Sequence, residues 1–162
     1  MTDVKHVSKQ DAWNFIVARY RDLTPDESKH LHGLQDAHGL DIVLHLFQEY
    51  AASRLGRSLT PDEVASADSQ IAGWRSEVIL PLRRLRRGLE DPPSLAPGQP
   101  ESAQALRPLI ARAELEAEQA ELYALCDWLS SQACPPARTS TIVVDELKRE
   151  SRMQYASLSW PW

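Results

Sequence analysis

The chain has 162 residues, with 18 Lys and Arg against 23 Asp and Glu, a net charge of −5. That length fits one domain, or one domain with a tail, and such a unit buries enough surface to fold without a metal or disulfide. The acid excess argues against nonspecific coating of nucleic acid, and a composition of 43% hydrophobic and 25% charged residues excludes the disordered class. Cys126 and Cys134 show no Cys-x-x-Cys spacing and read as free thiols in a reducing cytosol. The N-terminus lacks the apolar core of a signal peptide, and no stretch approaches the roughly 18 apolar residues of a membrane span. A cytoplasmic protein is expected.

Helix signals dominate. Ser8 and Asp11 have the spacing of a capping box, with Trp13, Ile16, Val17 and Tyr20 following at helical intervals. Thr24-Pro25-Asp26-Glu27 is a stronger start, for a helix to about Ala37 that turns Leu31 and Leu34 inward. Gly33 within it is read as a point of close helix approach. Gly39 ends that helix and Asp41 caps the next, whose run Ile42, Val43, Leu44, Leu46, Phe47 and Tyr50 is apolar almost all round and predicts the central buried helix. Arg54 to Ser58 is a short connection, after which Thr60-Pro61-Asp62-Glu63 repeats the earlier cap. From about Ala72 to Leu89 a further helix is predicted, with Trp74, Val78, Leu82, Leu85 and Leu89 on one side and Pro81 dividing or kinking it near Val78.

Asp91 to Pro100 holds four of the eleven prolines and reads as a loop. A long helix follows, roughly Glu101 to Ser130, with two stripes. One is Leu106, Ile110, Ala113, Ala117, Ala120 and Ala124; the other is Leu115, Leu122, Cys126 and Leu129. Two stripes imply either burial on both sides or a second partner surface. Thr139 to Arg149 is read as a short helix or strand, and the chain ends in the aromatic tail Trp160-Pro161-Trp162.

Catalytic signatures are absent: there is no Gly-x-Gly-x-x-Gly, no Gly-x-Ser-x-Gly and no His-Glu-x-x-His. His38, Asp41 and His45 would share a face if one helix ran through them, as mixed metal donors do, but Gly39 favours a break there. Arg83, Arg84, Arg86 and Arg87 fall within five positions, and guanidinium forks suit phosphates, carboxylates and acidic protein surfaces. The competing reading pairs them internally. Glu101 to Ser131 carries a net of −4 against +3 for Ile71 to Glu90, so two antiparallel helices would complement each other.

Three segments then carry a resemblance. They are Leu34-Gln35-Asp36-x-x-Gly39-x-Asp41, Trp74-Arg75-x-x-Val78-x-x-Pro81-Leu82-Arg83-x-Leu85-Arg86-Arg87, and Ala113-Glu114-Leu115-Glu116-Ala117-Glu118. With Trp13-x-Phe15 and Tyr20 they resemble a small, chiefly proteobacterial family known only as a domain of unknown function. The resemblance covers about residues 11 to 130. Val43 departs from a usual Asn, Gln48 to Tyr50 lacks a usual Trp, and Cys134 to Trp162 looks like an addition. Membership implies a compact helical domain, supplies no activity, and places Gln35, Asp36, Asp41, Trp74, Arg75 and Arg83 in one polar cluster, structural or ligand-binding.

The expected fold is all-α, a compact bundle of about five to six helices with a long C-terminal helix and an irregular tail. Residues 1–131 form the helical domain, with 91–100 as its Pro-rich loop; 132–162 form a linker, short helix and tail. The leading functional reading is a non-enzymatic adaptor or regulatory protein. It docks another protein, or a second copy of itself, through Arg83, Arg84, Arg86 and Arg87 and through Trp160 and Trp162. The alternatives are a helical-bundle enzyme or small-ligand or metal binder using Asp36, His38, Asp41 and His45, and weak RNA or ribosome association. An anionic ligand would also suit the arginines, and no cofactor is implied.

Overall fold

The computed structural model describes residues 7–90 and 100–132. In these, helices α1 (Lys9–Arg21), α2 (Pro25–His38), α3 (Ile42–Arg54) and α4 (Pro61–Trp74) are followed by a π-turn (Arg75–Ile79), α5 (Leu80–Gly88) and α6 (Pro100–Ser131). No strand occurs among the described residues, and the fold is an all-α bundle with a long C-terminal helix.

Local chemistry sets most boundaries. Ser8 Oγ accepts from the Asp11 amide at 3.3 Å. Thr24 with Glu27, and Thr60 with Glu63, form reciprocal capping boxes, each followed by a proline whose missing N–H costs the first turn nothing. α2 ends at Gly39, whose φ of 67° is a left-handed conformation that only glycine adopts without strain. The Gly39 amide donates to the Gln35 carbonyl at 3.1 Å, the bond of an αL helix ending, and the Leu40 amide to the Leu34 carbonyl at 3.4 Å. Asp41 then opens α3, its Oδ1 accepting from the Leu44 amide at 2.8 Å.

α3 is the hub, with Ile42, Val43, Leu44, Leu46, Phe47, Tyr50 and Ala51 buried as its composition predicts. It packs on α1 and α6, which contribute Ala12 and Ile16, and Leu122, Leu125, Cys126, Trp128 and Leu129, to the same core. Tyr50 stacks on Phe47 with ring centroids 6.3 Å apart, and burial pushes its phenol up to about 12.

Two expectations are corrected. The helix from Pro61 does not stop before Ala72; α4 runs directly into the π-turn, where the Leu80 amide donates to the Arg75 carbonyl five residues back. Pro81 lacks the N–H and the clearance that a regular ladder needs, and a π-turn beside it accommodates both. One extra residue per turn rotates everything beyond it by about 100°. Ile79 is buried, whereas Leu85 beyond the turn and Trp74 just before it are 51% and 43% exposed. On α6 the inward face runs through Glu114, Ala117, Glu121, Leu122, Leu125, Cys126, Trp128 and Leu129. Of the first stripe only Ala117 is buried; Leu106, Ala113, Ala120 and Ala124 are exposed, as is Leu115 of the second.

Gly33 is the third correction. It lies on the exposed side of α2, and a methyl group there would meet nothing within 4 Å. Gly33→Ala is expected to stabilise the protein by about 0.5–1 kcal/mol, measured by urea denaturation, because it removes backbone freedom from the unfolded chain without a native contact in the way.

Candidate functional site

Glu114, Glu118 and Glu121 stand on one face of α6 at spacings of four and three. The rod formed by α4, the π-turn and α5 lies against that face and supplies three guanidiniums. Arg83 donates from Nε to Glu114 and from Nη2 to Glu118, both at 2.8 Å. Arg86 Nε donates to the other oxygen of Glu114. Burial pushes the Glu114 carboxyl up, but the hydrogen bonds from Arg86 and Arg83 outweigh it and hold the group below its ordinary value. Glu118, bonded to Arg83 alone, is raised by burial.

Arg75 ties four elements together. Its Nε donates to Asp41 Oδ2, its Nη2 donates to Asp68 of α4 at 2.6 Å, and Glu121 Oε1 lies 3.8 Å from Nε. Burial opposes its charge, yet the attraction of Asp41 and then Asp68 lifts the guanidinium above its ordinary pKa. Asp41 thus uses one oxygen to cap α3 and the other to hold Arg75. Trp74 Nε1 donates to the Ala117 carbonyl at 2.9 Å, fastening the rod to α6 from the other side.

Glu121 is the outlier. It is only 2% exposed, and its Oε1 accepts no hydrogen bond among the described residues. Burial, then the neighbouring Asp41 carboxylate, pushes it up to about 9, so it carries a proton at neutral pH. It lines a small cavity of about 70 Å³ together with Gln35, Leu40, Asp41, Arg75, Arg83 and Glu118.

Of the six residues expected in one polar cluster, Gln35, Asp41, Arg75 and Arg83 line this cavity, and Trp74 adjoins it through α6. Asp36 does not: it is exposed and pairs with Arg87 at 2.8 Å. Among the four clustered arginines, Arg83 and Arg86 are turned inward against α6, as internal pairing requires, and Arg87 is held by Asp36. Arg84 is exposed and has no ion-pair partner among the described residues.

His38, Asp41 and His45 are not brought together as a donor set; no group of three or more His, Cys, Asp or Glu among the described residues is placed to hold a metal ion. Gly39 turns the chain between them. His45 instead faces Glu49, 3.6 Å away, and burial lowers its pKa. Cys126 is buried, its thiol pushed up to about 12 by burial, while Cys134, Trp160 and Trp162 lie outside the described residues. Asp68, Glu114, Glu118 and Glu121 were not singled out from the sequence as site residues. The signal that reveals three of them is the spacing of four and three opposite an arginine run.

A family model described as a protein of unknown function (DUF2390) matches residues 11–125, and the chain belongs to that family. No curated protein and no solved structure matches the chain.

Two outcomes follow from the geometry. Arg75→Met strands Asp41 beside Glu121 in a low-dielectric pocket, and denaturant melts should show a loss of about 3–5 kcal/mol. Glu121 has a folded pKa of about 9, raised above its unfolded value. Its contribution to stability is thus complete below the unfolded pKa and is lost as pH rises toward and through 9. The melting temperature of wild type should fall between about pH 5 and about pH 9, and Glu121→Gln should flatten that slope.

Proposed function

We propose that this member of the DUF2390 family is a partner-binding protein that docks a helix of another protein against an apolar face formed by α5 and α6. The carrying observation is that Trp74, Leu85 and Leu106, large side chains placed by spacing in apolar stripes, are 43%, 51% and 48% exposed, with Leu109 beside Leu106's stripe at 63%. Fixed by the inward-facing Ile79, Arg83 and Arg86, helical geometry puts Val78, Leu82, Leu85 and Leu89 on one flank of α5. Arg87, which reaches Asp36 of α2, lies on the opposite flank. On α6, Glu118 and Glu121 line the cavity beside α2 and α3, so Leu106, Ile110 and Ala113 lie on the far side, where Trp74 meets Ala117. The two apolar stripes therefore border one surface.

A pair of helices with an uncovered apolar seam accepts a third helix, with large side chains seated between the two. Apolar area removed from water contributes about 25 cal/mol per Å² and favours such an occupant. The arginine run is a weaker docking element than its composition suggests, because Arg83 and Arg86 already bind Glu114 and Glu118. Arg84 is left to orient an acidic partner from the rim.

The test is affinity capture from native cytosol with the full chain, read by mass spectrometry and then by binding to the purified captured protein. Leu85→Glu with Leu109→Glu should weaken that binding at least about tenfold while leaving helicity and melting temperature unchanged. Arg84→Glu should chiefly alter the on-rate and its salt dependence. Binding that withstands the double leucine change removes the apolar-face reading. Capture of RNA alone, with steep salt dependence, would replace it by nucleic-acid association.

A further inference from the structure

The cavity beside Glu121 has a chemistry separate from the outer apolar face. Three acidic side chains line it, Asp41, Glu118 and Glu121, against the two guanidiniums of Arg75 and Arg83. Each guanidinium is already engaged, Arg75 by Asp41 and Asp68, and Arg83 by Glu114 and Glu118. An anion would face three acidic side chains, and both guanidiniums already hold carboxylates. A buried acceptor is what stands open: Glu121 Oε1, on a side chain almost wholly removed from solvent, lines the cavity and accepts no hydrogen bond among the described residues.

The structure selects among cations. A divalent metal requires several oxygens at fixed short range, and Asp41 has committed one oxygen to the Leu44 amide and the other to Arg75. An ammonium group asks for less, because its three N–H donors are satisfied by acceptors in a loose tripod. Leu40, Ile79 and Leu80 add an apolar wall that an inorganic ion would not use. The volume of about 70 Å³ admits at least two water-sized groups of about 30 Å³ each, the scale of an aminomethyl end.

We propose that this cavity binds the amino end of an aliphatic primary amine, with Glu121 Oε1 as the main acceptor and the Glu118 carboxylate and Gln35 amide beside it. Glu121 ionises on binding and its proton passes to the buffer, so a buried ammonium–carboxylate pair replaces the neutral acid and its hydrogen bond to Asp41. The groups facing Glu121 are Asp41 before α3 and Arg75 of the π-turn, with Glu118 on its own helix. Since Glu121 is pushed up to about 9, affinity should rise with pH toward that value.

Calorimetric titration of the full chain with 1,4-diaminobutane and with n-butylamine tests this, in two buffers of different ionisation enthalpy. Saturable binding is expected, with release of close to one proton. Glu121→Gln should lower affinity at least about tenfold and abolish the proton release, and Gln35→Leu, at the cavity wall, should weaken binding without touching that release. Circular dichroism checks that both variants keep the helical fold. No saturable heat with either amine up to about 10 mM overturns the proposal. So does binding that Glu121→Gln leaves unchanged, or binding of magnesium in place of either amine.

Discussion

Three glutamates on one helical face cannot enter a protein interior unless cations come with them, and that constraint organises the molecule. A buried carboxylate without a partner costs several kcal/mol, more than most helix–helix contacts return. α6 carries Glu114, Glu118 and Glu121 into the bundle, so the element packed against it has to present guanidiniums at matching heights. Arg83 and Arg86 meet the first two, and their planar forks suit carboxylates in a way that lysine would not. Arg75 stops short of satisfying the third, because it is drawn toward Asp41 and Asp68. The place where compensation runs short is also where the cavity lies.

Asp41 makes that arrangement sensitive to the core. One of its oxygens fixes the first turn of α3 and the other fixes Arg75, so the hub helix and the arginine-bearing rod share one side chain. Each bond restrains the rotamer that the other uses. A change at the cavity is thereby felt at the N-terminus of the most buried helix, without a chain of intermediate contacts.

The fold was largely legible from local signals. Thr24 with Glu27, Thr60 with Glu63, Gly39 and Asp41 announce helix boundaries through their own hydrogen bonds, and α3 announces its burial by having no polar side. Asp41, Arg75 and Arg83 could be read as cluster members only through a family resemblance, which the match over residues 11–125 bears out as membership. Glu121 was not legible, since a glutamate in an alanine- and glutamate-rich helix looks solvated until its neighbours across the bundle are known. On α5 and the N-terminal half of α6 the leucine and alanine stripes have core spacing, yet the charged stripes beside them hold the contact, whereas Leu122, Cys126 and Leu129 of the second stripe are buried. Charge complementarity between the segments, −4 against +3, pointed the right way.

The π-turn at Arg75–Ile79 amounts to a one-residue phase step in a helix that is otherwise continuous from Pro61 to Gly88. Before the step, the rod keeps time with the core through Ala67 and Ile71; after it, the rod keeps time with the acidic face of α6 through Arg83 and Arg86. A single regular helix has one phase and would have to choose between the two. The sequence after Pro81 consequently holds two superimposed messages, an arginine register aimed at α6 and a leucine register aimed past it. Which of them is heard inside the protein is decided by one extra residue.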